Sequence, residues 1–261
     1  MMTFSKMQAL GNDFAVFYGD EAQLMLISKK VKALSHRLTG IGFDQLLFIN
    51  QKKESTFYFH IFNADGSSAS QCLNGARCVA RFLIEKGYSH TRHFFIENEA
   101  GLMEVSSPDF NTITLKIPNT AQIYPEKYHV NFTRIIMGNE HLIKVVNQLD
   151  SLDVPTMGKA CQSYYPDGIN VGFAEVISDE EILLRTYERG AGETSCCASN
   201  TLATVAVGIA QGWLKSTVIV KFSLGMLTIF LDLDKKYFYL TGPASHCYDG
   251  ILYLSDFSDH P

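Results

Sequence analysis

Asn63-Ala64-Asp65-Gly66-Ser67 leads through Gln71 to Cys72, and Glu188-Arg189-Gly190-Ala191-Gly192 leads through Cys196 to Cys197; the two stretches read as copies of one another. In each, a polar residue stands nine positions before a cysteine, and helix formers and small apolar residues follow over 76–83 and 202–210. The pattern predicts a loop that delivers a thiol to a helix N-terminus, where unpaired N–H groups and the macrodipole favour the thiolate. Two such thiols, one from each half of a duplicated chain, point to an acid and a base on opposite sides of one substrate.

Other landmarks keep nearly the same spacing. The cysteines stand 125 positions apart, Gly101 and Gly225 124, Gly11 and Gly138 127, and Gly42 and Gly168 126. Halves of about 120 residues match an ordinary domain size and together can bury a substantial core. The breaker-rich stretch Ile117-Pro118-Asn119-Thr120 marks the boundary. The expected lobes are therefore 1–117 and 118–247, with a C-terminal segment of about 248–261 packing back on the first.

Apolar runs, alternating or continuous, predict strands at 3–7, 14–18, 46–49, 57–62, 94–97, 103–105 and 112–117. The second half repeats the pattern at 134–137, 143–146, 169–176, 182–187, 217–222, 227–231 and 237–240. Helices are expected at 28–38, with Ser28 as N-cap, at 75–86, and from about Cys197 to Trp213. The last is apolar nearly all round and so reads as buried. The fold class is α/β (α+β): two pseudo-symmetric lobes from an internal duplication, each a strand-rich sheet or barrel wrapped around a central helix.

Several functions are disfavoured. A net charge of −5 with scattered lysines lacks the basic stripe of a nucleic-acid surface. No run of about 20 apolar residues could span a membrane, and Lys6, Asn12 and Asp13 interrupt what would be the apolar core of a signal peptide. A cytoplasmic location is expected, in which the six cysteines are free and Cys78, Cys161 and Cys247 structural. Cys72 and Cys78 lack zinc-ligand spacing, adjacent Cys196 and Cys197 rarely share a metal, and neither a Rossmann fingerprint nor a P-loop is present. No metal and no cofactor is expected.

Further motifs occur in order along the chain: Phe4-Ser5-Lys6-Met7, Gly11-Asn12-Asp13-Phe14, Gly40-Ile41-Gly42-Phe43-Asp44-Gln45, Cys72 with Asn74-Gly75-Ala76-Arg77-Cys78, Gly138-Asn139 with His141, Ile169-Asn170-Val171, and 187–194. Together they resemble diaminopimelate epimerase. The resemblance implies two similar lobes with the active site in the cleft between them, and cofactor-independent inversion of an amino-acid α-carbon. It makes Cys72 and Cys197 the acid/base thiols, with His141 and Glu188 tuning them. It places Asn12, Gln45, Asn63, Asn139, Asn170, Glu188 and Arg189 around the substrate, and gives the α-carboxylate to the backbone N–H groups of Leu73, Asn74, Ala198 and Ser199. The expected partner is a small-molecule amino-acid substrate, with no nucleic acid and no membrane; a homodimer is possible.

The chain departs from the family's pattern at Leu73, Ala198 and Asn200, where the family has glycine, and at Glu140, where it has proline. Leucine would be strained wherever positive φ is needed, whereas asparagine tolerates it. Asn63, Asn139 and Asn170 also have a plain reading as turn residues, and Arg77 and Arg81 as structural or solvated members of one helix face. Three functions stay open at this point: a diaminopimelate epimerase, a racemase of another amino acid such as histidine, and a non-catalytic or thiol-redox relative. Arg189 with three asparagines suits the far end of a long dicarboxylate, which favours the first.

Overall fold

The structure is a computed structural model. It describes residues 1–53 and 56–257, so the end of the expected 248–261 segment lies outside the described residues. The chain divides into two units, Met1–Leu115 with the stretch from Gly242 onward, and Lys116–Thr241.

In the first unit β1 (Met2–Ala9) and β2 (Asn12–Tyr18) form an antiparallel hairpin. Helices α1 (Glu21–Ser28) and α2 (Val31–Ser35) lead to β3 (Gln45–Lys53), parallel to β2. β4 (Thr56–Asn63) returns antiparallel and pairs with the two-residue β5 (Ser68–Ala69). Helix α3 (Leu73–Glu85) then leads to β6 (His93–Asn98), parallel to β4, followed by β7 (Gly101–Ser106) and β8 (Thr112–Pro118).

The second unit repeats these pairings in the same order and sense. β9 (Gln122–Tyr124) edges β10 (Thr133–Met137), and β10 forms a hairpin with β11 (Asn139–Val145). Helix α4 (Val154–Gln162) precedes β12 (Asn170–Ser178), which is parallel to β11. β13 (Glu181–Glu188) is antiparallel to β12 and pairs with β14 (Gly192–Thr194). After α5 (Ala198–Gln211) come β15 (Thr217–Phe222), parallel to β13, then β16 (Gly225–Leu231) and β17 (Tyr237–Pro243). The final strand β18 (Ser245–Leu252) edges β1 in the first unit, as β9 edges β10 in the second. The duplication is thus written into the hydrogen-bond ladder as well as the spacing.

The continuous apolar runs of β2 and β3 are buried on both faces, as parallel strands require. Ala15, Phe17, Leu46 and Phe48 pack with Leu24, Ile27, Val31 and Leu34 of α1 and α2. The alternate residues Phe14, Val16, Leu47 and Ile49 are also fully buried, on the opposite face, and α3 packs on β1, β2 and β3. Helix α5 packs likewise on β10, β11 and β12. It is buried on most sides and ends at Gly212, whose φ of +80° is the left-handed cap conformation that glycine adopts without strain.

Ser28 does not cap a helix: it is the last residue of α1. Asp20 is the cap, accepting from the backbone of Gln23 while the Gln23 side chain accepts from Asp20 N–H, a reciprocal pair that fixes the start eight residues earlier. β11 begins at Asn139, ahead of its apolar run, so Asn139 and His141 are strand residues. Among the described residues no helix is long and apolar enough to cross a membrane.

Candidate active site

In the first unit Cys72 is the N-cap of α3, and its Sγ accepts the backbone N–H of Gly75 at 3.2 Å. The first turn-closing backbone bond runs from Ala76 N–H to the Cys72 carbonyl, so the amides of Leu73 and Asn74 point out of the helix end. The structure brings Asn12 to this thiol: its Oδ1 lies 3.8 Å from Cys72 Sγ and 3.5 Å from Asn74 Nδ2. Asn12 is held by Asp44, which accepts from Asn12 Nδ2 at 3.0 Å and from Asp13 N–H. Asp13 in turn meets Arg37 and the buried Lys6. Burial pushes the Asp13 carboxyl up, but hydrogen bonds from those two cations outweigh it and hold it at about 2.

Gln45 and Asn63 are opposite one another across the β3–β4 ladder, with Gln45 Nε2 donating to Asn63 Oδ1 at 2.9 Å. The buried Oε1 of Gln45 has no hydrogen-bond partner. Arg77 is neither solvated nor surface-facing: it is wholly buried and donates to Asn74 Oδ1 at 3.0 Å and to the Pro243 carbonyl at 3.1 Å, tying the first turn of α3 to the chain before β18. Leu73 takes no positive φ, and as the first helical residue it carries no strain.

In the second unit Cys197 is the N-cap of α5, as Cys72 is of α3, while Cys196 lies one residue before the cap. Cys197 Sγ is 3.4 Å from Ser199 Oγ, and the amides of Ala198 and Ser199 precede the first turn-closing bond, from Thr201 N–H to the Cys197 carbonyl. Burial pushes the Cys197 thiol well above its ordinary value, the nearby charge and hydrogen bond of Glu188 push it further, and Ser199 and the Asn200 N–H only partly oppose them. The expectation of a helix end lowering this thiol is therefore overturned: loss of hydration at 5% exposure exceeds the favour of about half a charge from the dipole. Cys197 rests protonated, with Glu188 as acceptor beside it. Glu188 also accepts from Thr194 Oγ1.

His141 lies parallel-paired with Asn170 as Phe14 is with Gln45, and like Phe14 it is wholly buried. Burial pushes its imidazole down to about 3, so it is neutral. Its Nε2 donates to Asn139 Oδ1 at 2.7 Å and its Nδ1 has no hydrogen-bond partner. The ring holds Asn139 in place. Asn170 is similarly committed, accepting from Arg189 N–H at 3.0 Å and donating to the Glu140 carbonyl at 3.4 Å. Arg189 donates from Nη1 to the Asp167 carbonyl, and its stem crosses Gly168, where an added β-carbon would sit 2.7 Å from Arg189 Cγ.

Asn139, Asn170 and Arg189 line a cavity of about 420 Å³ that Arg134, Glu140, Tyr128, Tyr164 and Tyr165 also line. Apart from Glu140, noted as a departure from the family pattern, these residues were not singled out from the sequence. The adjacent tyrosines beside Pro166-Asp167-Gly168, two residues before Asn170, are the one signal that could have indicated them. Among the other cysteines, burial raises the Cys78 and Cys161 thiols, as a packing role requires. Cys247 is exposed, against the expectation of a structural role, because it falls on the edging strand β18.

The family model described as diaminopimelate epimerase matches residues 4–116 and 133–247. Among solved structures, a probable proline racemase from Agrobacterium radiobacter with bound carbonate aligns at a TM-score of 0.72 and 13% identity, over 98% of this chain and 94% of that one. A hydroxyproline epimerase from Agrobacterium vitis with bound trans-4-hydroxy-L-proline aligns at 0.70 and 15%, over 95% and 90%. A phenazine biosynthesis protein of the PhzF family from Enterococcus faecalis aligns at 0.69 and 13%, over 97% and 99%. At such identities the likeness establishes the fold.

Proposed function

The chain belongs to the diaminopimelate epimerase family, and from that premise we propose that it inverts one α-carbon of LL-diaminopimelate to give the meso form, a precursor of lysine and peptidoglycan, using Cys72 and Cys197 and no cofactor. The observation that carries the reading is the equivalence of the two thiols: each caps the helix that follows a strand ending in Asn63 or Glu188.

An amino-acid α-hydrogen is very weakly acidic, so the charge that builds on the carboxylate needs fixed donors. The amides at the starts of α3 and α5 are of that kind, and one well-placed donor is worth roughly 3–4 kcal/mol. One thiol removes the hydrogen and the other delivers a proton to the opposite face. Cys197, protonated in the resting protein, is set to deliver; to act as base it first passes its proton to Glu188. Cys72 is set to accept, since Gly75 N–H already donates to its sulfur.

A racemase of another amino acid would use the same thiols. The cavity containing Arg189 favours a long substrate with a charged far end. Turnover of single-enantiomer amino acids in D₂O tests the reading: early product carries deuterium at the inverted centre while unreacted substrate gains much less. Substantial unlabelled early product, or a rate lost to chelators or carbonyl-trapping reagents, overturns it.

A further inference from the structure

The cavity lined by Asn139, Asn170 and Arg189 has a second charged pair on its wall. Arg134 Nη2 meets Glu140 Oε1 at 2.5 Å, and the Arg134 guanidinium lies 5.7 Å from the centre of the Tyr165 ring. Tyr165 is itself fixed by donating to Glu126 at 2.6 Å, and Glu126 accepts the backbone N–H groups of Tyr128 and His129. Glu140 is held from the other side through its carbonyl, which accepts from Asn170 Nδ2. The chain Glu126, Tyr165, Arg134, Glu140 thus fixes a carboxylate before any ligand arrives, which lowers the ordering cost of binding.

An ion pair linking neighbouring hairpin strands at a partly exposed site contributes little stability by itself. Its position has a clearer chemical consequence. Glu140 uses one oxygen for Arg134, leaving the other to accept from a ligand. Arg189 supplies a guanidinium to the same cavity, and Asn139, whose oxygen His141 occupies, retains its amide N–H groups as donors. We propose that Glu140 is a specificity-determining residue: its carboxylate, positioned by Arg134, accepts the ammonium group at the far end of the substrate while Arg189 takes the far carboxylate, so the cavity selects a zwitterionic end.

The inference rests on the epimerase reading but is tested by binding as well as by turnover. Calorimetry compares diaminopimelate with 2-aminopimelate, the same chain without the far amine, on the wild type, Glu140→Gln and Arg134→Met. The wild type binds diaminopimelate more tightly, and Glu140→Gln reduces that preference about tenfold, the size of one charge-assisted hydrogen bond. Arg134→Met keeps the Glu140 charge but removes the partner that positions it, so the preference falls by less than in Glu140→Gln. A merely structural pair predicts that the two variants behave alike, because each breaks the same bridge. Equal loss in both, an unchanged preference in Glu140→Gln, or a wild type that binds neither compound overturns the inference. Selective binding without α-carbon inversion would instead sustain it and defeat the epimerase reading.

Discussion

The Oδ1 atom of Asn200 lies 2.1 Å from the place a β-carbon on Gly172 would occupy, so the asparagine of α5 fills the space beside β12 where a side chain is missing. The first unit makes the reverse choice. There Gly75 of α3 faces Leu47 of β3, whose methyls would stand 3.1 Å from an added β-carbon. Positions 47 and 172, like 75 and 200, are 125 apart. One large and one small residue meet behind each helix N-terminus, with strand and helix exchanging parts. Asn200 is helical and wholly buried, so its replacement of the family's glycine is a matter of packing and not of φ.

Gly172→Ala is expected to drive a methyl into the Asn200 amide, costing about 1–3 kcal/mol as core overpacking does. The double variant Gly172→Leu with Asn200→Gly rebuilds the first unit's arrangement and should recover most of the loss seen in Gly172→Leu alone. Thermal unfolding of the four proteins in the cycle measures the coupling. Additive losses would show that the two positions do not share this space.

Cys72→Ala and Cys197→Ala should each reduce inversion to background, since losing either acid or base stops the cycle. Cys196→Ala should keep it, because Cys196 precedes the cap. Cys78→Ala and Cys161→Ala are expected to remain active and lose about 1 kcal/mol of stability through the missing buried sulfur. Initial rates with matched unfolding curves separate the two classes. An active Cys197→Ala would shift the second thiol to another residue.

Replacing Glu188 by Gln removes the negative charge that, after burial, raises the Cys197 thiol. The pH midpoint for thiolate formation at Cys197 should therefore fall, read as ultraviolet thiolate absorbance after subtracting the Cys197→Ala protein. Inversion should fall as well, because the acceptor for the Cys197 proton is gone. A midpoint that rises would mean that Glu188 acts chiefly as a structural bond to Thr194.

The neutral, buried His141 makes stability depend on pH with a definite sign. Its folded value of about 3 lies below the ordinary 6.5, so between these values the unfolded chain binds a proton that the folded chain refuses. The contribution is complete above 6.5 and is lost as pH falls toward 3, with a slope of about 1.4 kcal/mol per pH unit. His141→Phe, which copies Phe14 at the equivalent ladder position, should flatten that slope relative to wild type. Urea midpoints at roughly pH 7 and pH 5 read the difference; parallel pH dependence would show that His141 becomes charged in place.

Much of this protein was legible in one dimension because the signals are local and periodic. Apolar runs located most strands to within a few residues, and the spacing of Cys72 and Cys197 from Asn63 and Glu188 located the two capped helix starts. The Asp20 and Gln23 capping box is equally local, but a polar Asp beside an apolar helix start does not by itself outrank Ser28 as a cap. The Asp153 cap and Pro155 at the start of α4 are local signals of the same kind, in a helix too short for a clear apolar period. Short edging strands such as β5, β9 and β14 carry too few residues for a period to register.

What the tertiary structure alone decided concerns energies summed over residues distant in sequence. A helix N-terminus is a local device and argues for a thiolate at Cys197. The protonated thiol follows from desolvation by surrounding elements, with Glu188 nine positions away adding its charge. The same reason separates His141, a buried ring fixing Asn139, from a tuning base, and makes Arg77 a buried tie. Arg134, Glu140 and Tyr165 become one cavity wall only when β10, β11 and the segment before β12 are brought together. Sequence periodicity specifies which face of an element is apolar; protonation, shape and selectivity depend on what the fold sets against that face.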